Sequence, residues 1–113
     1  MKLLSTLGLL VLLSTSAIAE DKGYTGFTLD VGVSGFFSPE LVSADVKKID
    51  ANSPAEKSGI KVGDKLIAID GCKIPGCPAQ EGKKLISKLK GQLLPLTLQR
   101  ADGSEYSVSL LVE

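Results

Sequence analysis

The stretch that decides the fold is SPAEKSGIKVGD, Ser53 to Asp64, which runs directly into the apolar KLIAIDG of Lys65 to Gly71. Ser53 is a residue type that caps a helix. Pro54 follows at the first helical position, where a proline costs no hydrogen bond, and Glu56 is spaced to reach back to the Ser53 amide as a capping box. Gly59 suits a left-handed exit, so the helix between these signals is little more than one turn. Val62-Gly63-Asp64 turns the chain again into KLIAID, an apolar, β-branched strand ending at the Asp70-Gly71 turn.

Working outward, FTLDV alternates Phe27, Leu29 and Val31 against Thr28 and Asp30, and VSADVKKI alternates Val42, Ala44 and Val46. Period two marks each as a strand with one buried face. Between them, GVSGFFSPEL reads as a loop with a short helical turn near Ser38 to Leu41, with Phe36 and Phe37 packed under it. Downstream, AQEGKKLISKLKG places Leu85, Ile86 and Leu89 at helical spacing opposite its lysines, with Gly91 as the stop. LPLTLQ and EYSVSLLV form a hairpin about Ala101-Asp102-Gly103, with Leu96 and Leu98 on one face and Tyr106, Val108, Leu110 and Val112 on one face of the partner. Five or six short strands, one short helix and one longer helix, without regular strand-helix alternation, give an α+β class: a small, partly open β-barrel or sandwich capped by two helices.

The 113 residues, 43% hydrophobic, suffice for one domain with one modest core. Met1-Lys2, the apolar Leu7 to Leu13 and Ala17-Ile18-Ala19 have the layout of a secretory signal peptide over residues 1–19, leaving one domain over 20–113 outside the cytoplasm, periplasmic or secreted. The alternative is a retained anchor, but Ser5, Thr6 and Gly8 interrupt the apolar part, which falls short of the roughly 20 residues a span needs. Cleavage would remove Lys2 from 13 basic residues and leave all 13 acidic ones, so no charge excess recruits nucleic acid and no membrane span remains. Cys72 and Cys77, in GCKIPGC, read as a local disulfide in an exported chain. The chain has no histidine, so the residues call for no metal, haem or other cofactor.

The order of elements around SPAEKSGIKVGDKLIAIDG resembles that of a PDZ domain, most closely the PDZ domains of bacterial envelope serine proteases, here as a stand-alone exported domain. Ser53, Pro54, Ala55, Gly59, Gly63, Asp64, Ile67 and Gly71 stand at the family's places, and the resemblance runs from about Gly23 to Val112. It implies a non-catalytic module that binds C-terminal or extended peptide segments by strand addition. Tyr24, Thr25, Gly26 and Phe27 then correspond to the carboxylate-binding loop, and Phe27, Thr28 and Leu29 to the strand that receives the peptide. Gly82 and Ile86 face the groove from the helix, while Leu85 and Leu89 turn to the core. Phe27, Leu29 and Ile86 would line a pocket for a medium-sized apolar terminal side chain, and Lys22 could add charge to the carboxylate site. The implied partners are protein or peptide C-termini, such as those of an envelope protease or secretion component.

Two other readings stand beside this one. A structural or assembly role would leave the groove unused and dock through another face, such as Phe36-Phe37. A minimal hydrolase has no histidine with which to activate serine or cysteine, and Asp64 and Asp70, though a conceivable acid pair, sit in turn contexts that favour capping.

Overall fold

A computed structural model of the chain describes residues 23–113. The signal segment 1–19 and Lys22 lie outside the described residues. Six strands and two helices follow one another as β1 (Phe27–Ser34), β2 (Glu40–Ile49), α1 (Pro54–Lys57), β3 (Lys65–Ile69), β4 (Cys72–Lys73), α2 (Ala79–Ile86), β5 (Leu93–Gln99) and β6 (Glu105–Leu111). The strands pair antiparallel in the order β1-β2-β3-β5-β6, with β4 on β3. The sheet is open, and β1 and β6 are its edges.

The alternating patterns fill the core. Leu94, Leu96 and Leu98 of β5 meet Leu110 and Val112, together with Leu66 and Ile69 of β3, and all are essentially excluded from solvent. The β5–β6 hairpin pairs residue for residue from Leu93↔Leu111 to Gln99↔Glu105 around the Asp-Gly turn. On the short helix, the Glu56 amide donates to the Ser53 hydroxyl at 3.2 Å and Gly59 takes φ +87° at the exit. Glu56 reaches back to the amide of Asn52 at 2.8 Å, one residue earlier than the capping box predicts.

Several expectations are corrected. The helical turn near Ser38 to Leu41 is absent: β1 continues to Ser34 and β2 begins at Glu40, so the two strands form one long hairpin. Within it, Gly32 pairs with Ser43 and Val33 with Leu41, leaving Val42 as an extra, bulged residue. The bulge reverses the facing, so Leu41 is buried and Val42 is exposed. Phe36 and Phe37 are not packed under the turn. They stand 89% and 91% exposed at its tip, touching each other edge to face with ring centroids 4.9 Å apart.

A further correction concerns the longer helix, which stops at Ile86 and leaves Leu89 exposed rather than in the core. Tertiary bonding takes over from helical propensity at that point. The Gly91 amide donates to the Val112 carbonyl at 2.8 Å and the Val112 amide to Gln92 at 3.0 Å, drawing the chain onto the end of β6. At its other end α2 is held by the Cys72–Cys77 disulfide, which ties β4 to the residue preceding Pro78, the N-cap. Cys77 is buried, and its carbonyl accepts from the Leu41 amide at 2.7 Å. The small covalent loop therefore fixes where α2 starts relative to β2.

Candidate functional site

One side of β1 pairs with β2, and its other side meets no strand of the described residues. Helix α2 packs on β2 and β3 and faces β1. Between them lies an apolar groove of about 300 Å³. Leu29, Val31 and Val33 of β1 form one wall, and Leu41, Ala44 and Ile69 form the floor. The helix contributes Ala79, Gly82, Lys83 and Ile86, so among the described residues Lys83 carries the only charge in the lining.

Gly82 has a steric reason to be glycine. A Cβ there would stand 2.6 Å from Leu41 Cδ1, so the helix lies close on β2 and its wall has no side chain at that level. Leu85 packs against the core.

At the N-terminal end of β1, Tyr24, Thr25 and Gly26 form a short loop. Tyr24 exchanges backbone hydrogen bonds with Glu113, at 2.7 and 3.1 Å, and its hydroxyl donates to Asp50 Oδ2 at 2.6 Å. That bond to Asp50 pushes the Tyr24 phenol above its usual value. Thr25 accepts from the Ala55 amide at 2.9 Å and Gly26 from the Asp50 amide at 2.8 Å. Both carbonyls are thus turned toward α1 and its approach. Among the described residues, the Thr25 and Gly26 amides donate to no backbone or side-chain acceptor.

Of the residues singled out from sequence, Leu29, Gly82 and Ile86 come together in the groove. Tyr24, Thr25 and Gly26 stand at the start of β1, which places them beyond its Leu29 end. Phe27 is half-buried against the core and outside the groove lining, and Thr28 is exposed. Val31, already part of the alternation read from sequence, and Val33 continue the line of Leu29 along the groove; Val33 lies in the segment that Gly32 and Gly35 make read as loop. Leu41, Ala44 and Ile69 carry no sequence signal that separates groove floor from core.

Asp64 and Asp70 flank β3 at opposite ends and form no pair: Lys88 lies 3.1 Å from Asp70, whereas Asp64 is buried beneath Arg100 and Tyr106. Burial, reinforced by the hydrogen bond its hydroxyl donates to Asp64, pushes the Tyr106 phenol well above its usual value of about 10. Below that value both folded and unfolded chains hold the proton. Above it the unfolded chain ionises first, so stability falls as pH rises past about 10, by at most about 1.4 kcal/mol per pH unit for this group. We expect Tyr106→Phe to show a shallower alkaline loss of stability than the wild type in urea titrations. Parallel curves for the two proteins above pH of about 10 would remove Tyr106 from the alkaline response.

Among the described residues no helix is long and apolar enough to cross a membrane, and no group of three or more His, Cys, Asp or Glu is placed to hold a metal ion. Residues 15–99 match the sequence model of the PDZ domain. The chain is 26% identical over 80 residues to syntenin-2 of Mus musculus, covering 71% of this chain and 25% of that protein, so it spans about a quarter of this relative's length. In three dimensions it is similar to the PDZ domain of HtrA3, solved bound to a phage-derived ligand, FGRWV, with a TM-score of 0.58 and 19% identity over 81% of this chain and 86% of that one. It is similar in fold also to the photosystem II D1 C-terminal processing protease, with a TM-score of 0.59 and 21% identity over 79% of this chain and 23% of that one.

Proposed function

Because the chain belongs to the PDZ domain family, we propose that it is a non-catalytic module that binds C-terminal or extended peptide segments by adding them as a strand to β1. In this reading it acts outside the cytoplasm as an adaptor or regulator of envelope proteins, its partners being the C-termini of a protease or secretion component. The observation that carries the proposal is the edge of β1, which pairs with no further strand among the described residues and faces α2 across an apolar groove. Backbone hydrogen bonds from that edge give affinity without sequence preference, and the apolar lining selects side chains.

The ligand's terminal carboxylate would be received by the Thr25 and Gly26 amides, next to Phe27, with Tyr24 holding the loop to the C-terminal strand. Its terminal side chain would enter at Leu29 and Ile86, which suit a medium-sized apolar residue. The valine that ends the ligand in the HtrA3 structure is of that kind. Gly82 offers no hydrogen-bonding side chain for a ligand hydroxyl, so selectivity is apolar. Thr28 lies on β1 within the backbone ladder the peptide would join. Residues 1–19, as a signal peptide, support the location.

The test is a titration with the best C-terminal peptide from a displayed library, repeated with its terminus amidated. Loss of one charge-assisted contact predicts weakening by roughly tenfold or more. Ile86→Glu, half-buried at the groove wall, should weaken the free acid by a similar factor and leave the unfolding transition cooperative. Equal affinity for the acid and amide forms would take the loop out of the site.

A further inference from the structure

Helix α2 has little packing of its own to hold it. It is eight residues long, shorter than a helix that persists alone in water, and Gly82 is its only buried residue. Its position, and with it one wall of the groove, therefore depends on what ties its first turn to the sheet. Toward β2 the ties are backbone hydrogen bonds. The Leu41 amide donates to the Cys77 carbonyl at 2.7 Å, the Gly76 amide to the Leu41 carbonyl at 2.9 Å and the Ala79 amide to the Pro39 carbonyl at 2.9 Å. Toward β4 and β3 a single backbone bond, from the Cys77 amide to the Lys73 carbonyl at 2.8 Å, is reinforced by the Cys72–Cys77 disulfide. Both cysteines adjoin the groove. Cys72 pairs with Ile69 of its floor, and the Cys77 sulfur lies against α2, 3.6 Å from where a Cβ on Gly82 would stand.

We propose that this disulfide is a thiol switch on the groove: the oxidised domain binds its peptide, and reduction by a dithiol loosens α2 and releases it. The inference rests on the groove reading given above. Cys72 is half-buried where Cys77 is 2% exposed, so Cys72 carries the sulfur that a reductant reaches. A thiolate of the dithiol attacks the Cys72 sulfur, the bond between the cysteines breaks, and Cys77 leaves as a thiolate that takes up a proton. The second thiol of the reductant then attacks its own sulfur in the mixed disulfide and frees Cys72 as a thiol. Two electrons and two protons pass to the protein, and the reductant departs as its disulfide. The start of α2 keeps its bonds to β2 but is held toward β4 by one hydrogen bond alone, so the wall that carries Gly82 and Ile86 loses its fixed distance from the floor. The coupling is reciprocal: a peptide that holds α2 in place favours the disulfide by the same factor by which the disulfide favours the peptide.

The test titrates a cysteine-free, free-acid peptide from the displayed library against the oxidised protein, the protein held reduced in excess dithiothreitol, and Cys72→Ala/Cys77→Ala. The reduced protein and the double variant should bind about tenfold more weakly than the oxidised protein. Amide hydrogen exchange should quicken on reduction across Ala79–Ile86 while the β5–β6 hairpin stays protected. In dithiothreitol redox buffers, saturating peptide should lower the reduction potential of the cysteine pair by about 30 mV, the two-electron equivalent of that tenfold. This last measurement uses the wild type alone and does not depend on how the variant folds. Equal affinity in the oxidised and reduced forms, with no shift in potential, would overturn the switch and leave the groove standing. So would a reduced protein that has lost the hairpin's protection as well, because the disulfide would then hold the whole fold and not the helix. Failure of the oxidised protein to bind any peptide would overturn the groove reading and the switch with it.

Discussion

Asp64→Ala is expected to lower the unfolding free energy by about 3 kcal/mol, a large fraction of what a domain of this size has. The side chain is only 5% exposed, and its Oδ2 collects three donors. These are the Lys61 amide at 3.0 Å, the Arg100 guanidinium at 2.7 Å and the Tyr106 hydroxyl. Arg100 also donates to the Gly59 carbonyl at 3.1 Å and lies 4.0 Å over the Tyr106 ring. One carboxylate thus ties the turn after α1 to the β5–β6 hairpin, joining segments far apart in sequence. Removing it strands the Lys61 amide and the half-buried Tyr106 hydroxyl and leaves a cation without its counter-ion. The figure sits at the low end for a broken buried pair because Arg100 is 30% exposed and recovers solvent. Guanidinium chloride unfolding measures it, with Asp64→Ala/Tyr106→Phe as the coupled control: the second change should cost less in the absence of Asp64 than in its presence. A loss below about 1 kcal/mol for Asp64→Ala would reduce the cluster to a surface ion pair.

What the sequence makes legible here follows from how local each feature is. The cap at Ser53, the exit at Gly59 and the Asp-Gly hairpin are settled within a few residues, and the structure contains them. The phase of β2 is not local. It changes at the Val42 bulge, which depends on the register with Gly32 and Val33 across the hairpin, and no pattern within VSADVKKI announces it. The end of α2 depends on bonds from residues 91 and 92 to Val112, so a helical periodicity that continues through Leu89 overshoots. In the candidate site, Leu29, Gly82 and Ile86 follow from resemblance and spacing, whereas the floor of Leu41, Ala44 and Ile69 emerges only when three strands are assembled.

The same distinction bears on the twelve residues that decide the fold. From sequence, SPAEKSGIKVGD identifies the scaffold and touches no ligand; in the structure its first residues brace the Tyr24–Gly26 loop at the start of β1. Ser53 is 1% exposed and lies against Gly26, and the Ala55 amide holds the Thr25 carbonyl. Gly26→Ala is accordingly expected to be the most damaging single substitution in the loop, by two separable effects. Gly26 takes φ +89°, where a side chain costs roughly 1–2 kcal/mol, and the added Cβ would stand 2.1 Å from Ser53 Cβ and 2.4 Å from its Oγ. Since Ser53 is the buried cap of α1, it cannot yield without losing the bond it accepts from Glu56, so the total should reach about 3–4 kcal/mol. Ser53→Gly in the same chain would remove the clash at the cost of the cap. The double variant should therefore be more stable than Gly26→Ala alone, and the backbone cost at φ +89° should remain. Peptide titration of the double variant then separates fold from function. A loop that is refolded but reshaped should bind the free-acid peptide roughly tenfold less tightly than wild type while its amidated form is unaffected, and stability restored without any loss of carboxylate preference would mean that the conformation of Gly26 is needed for packing alone.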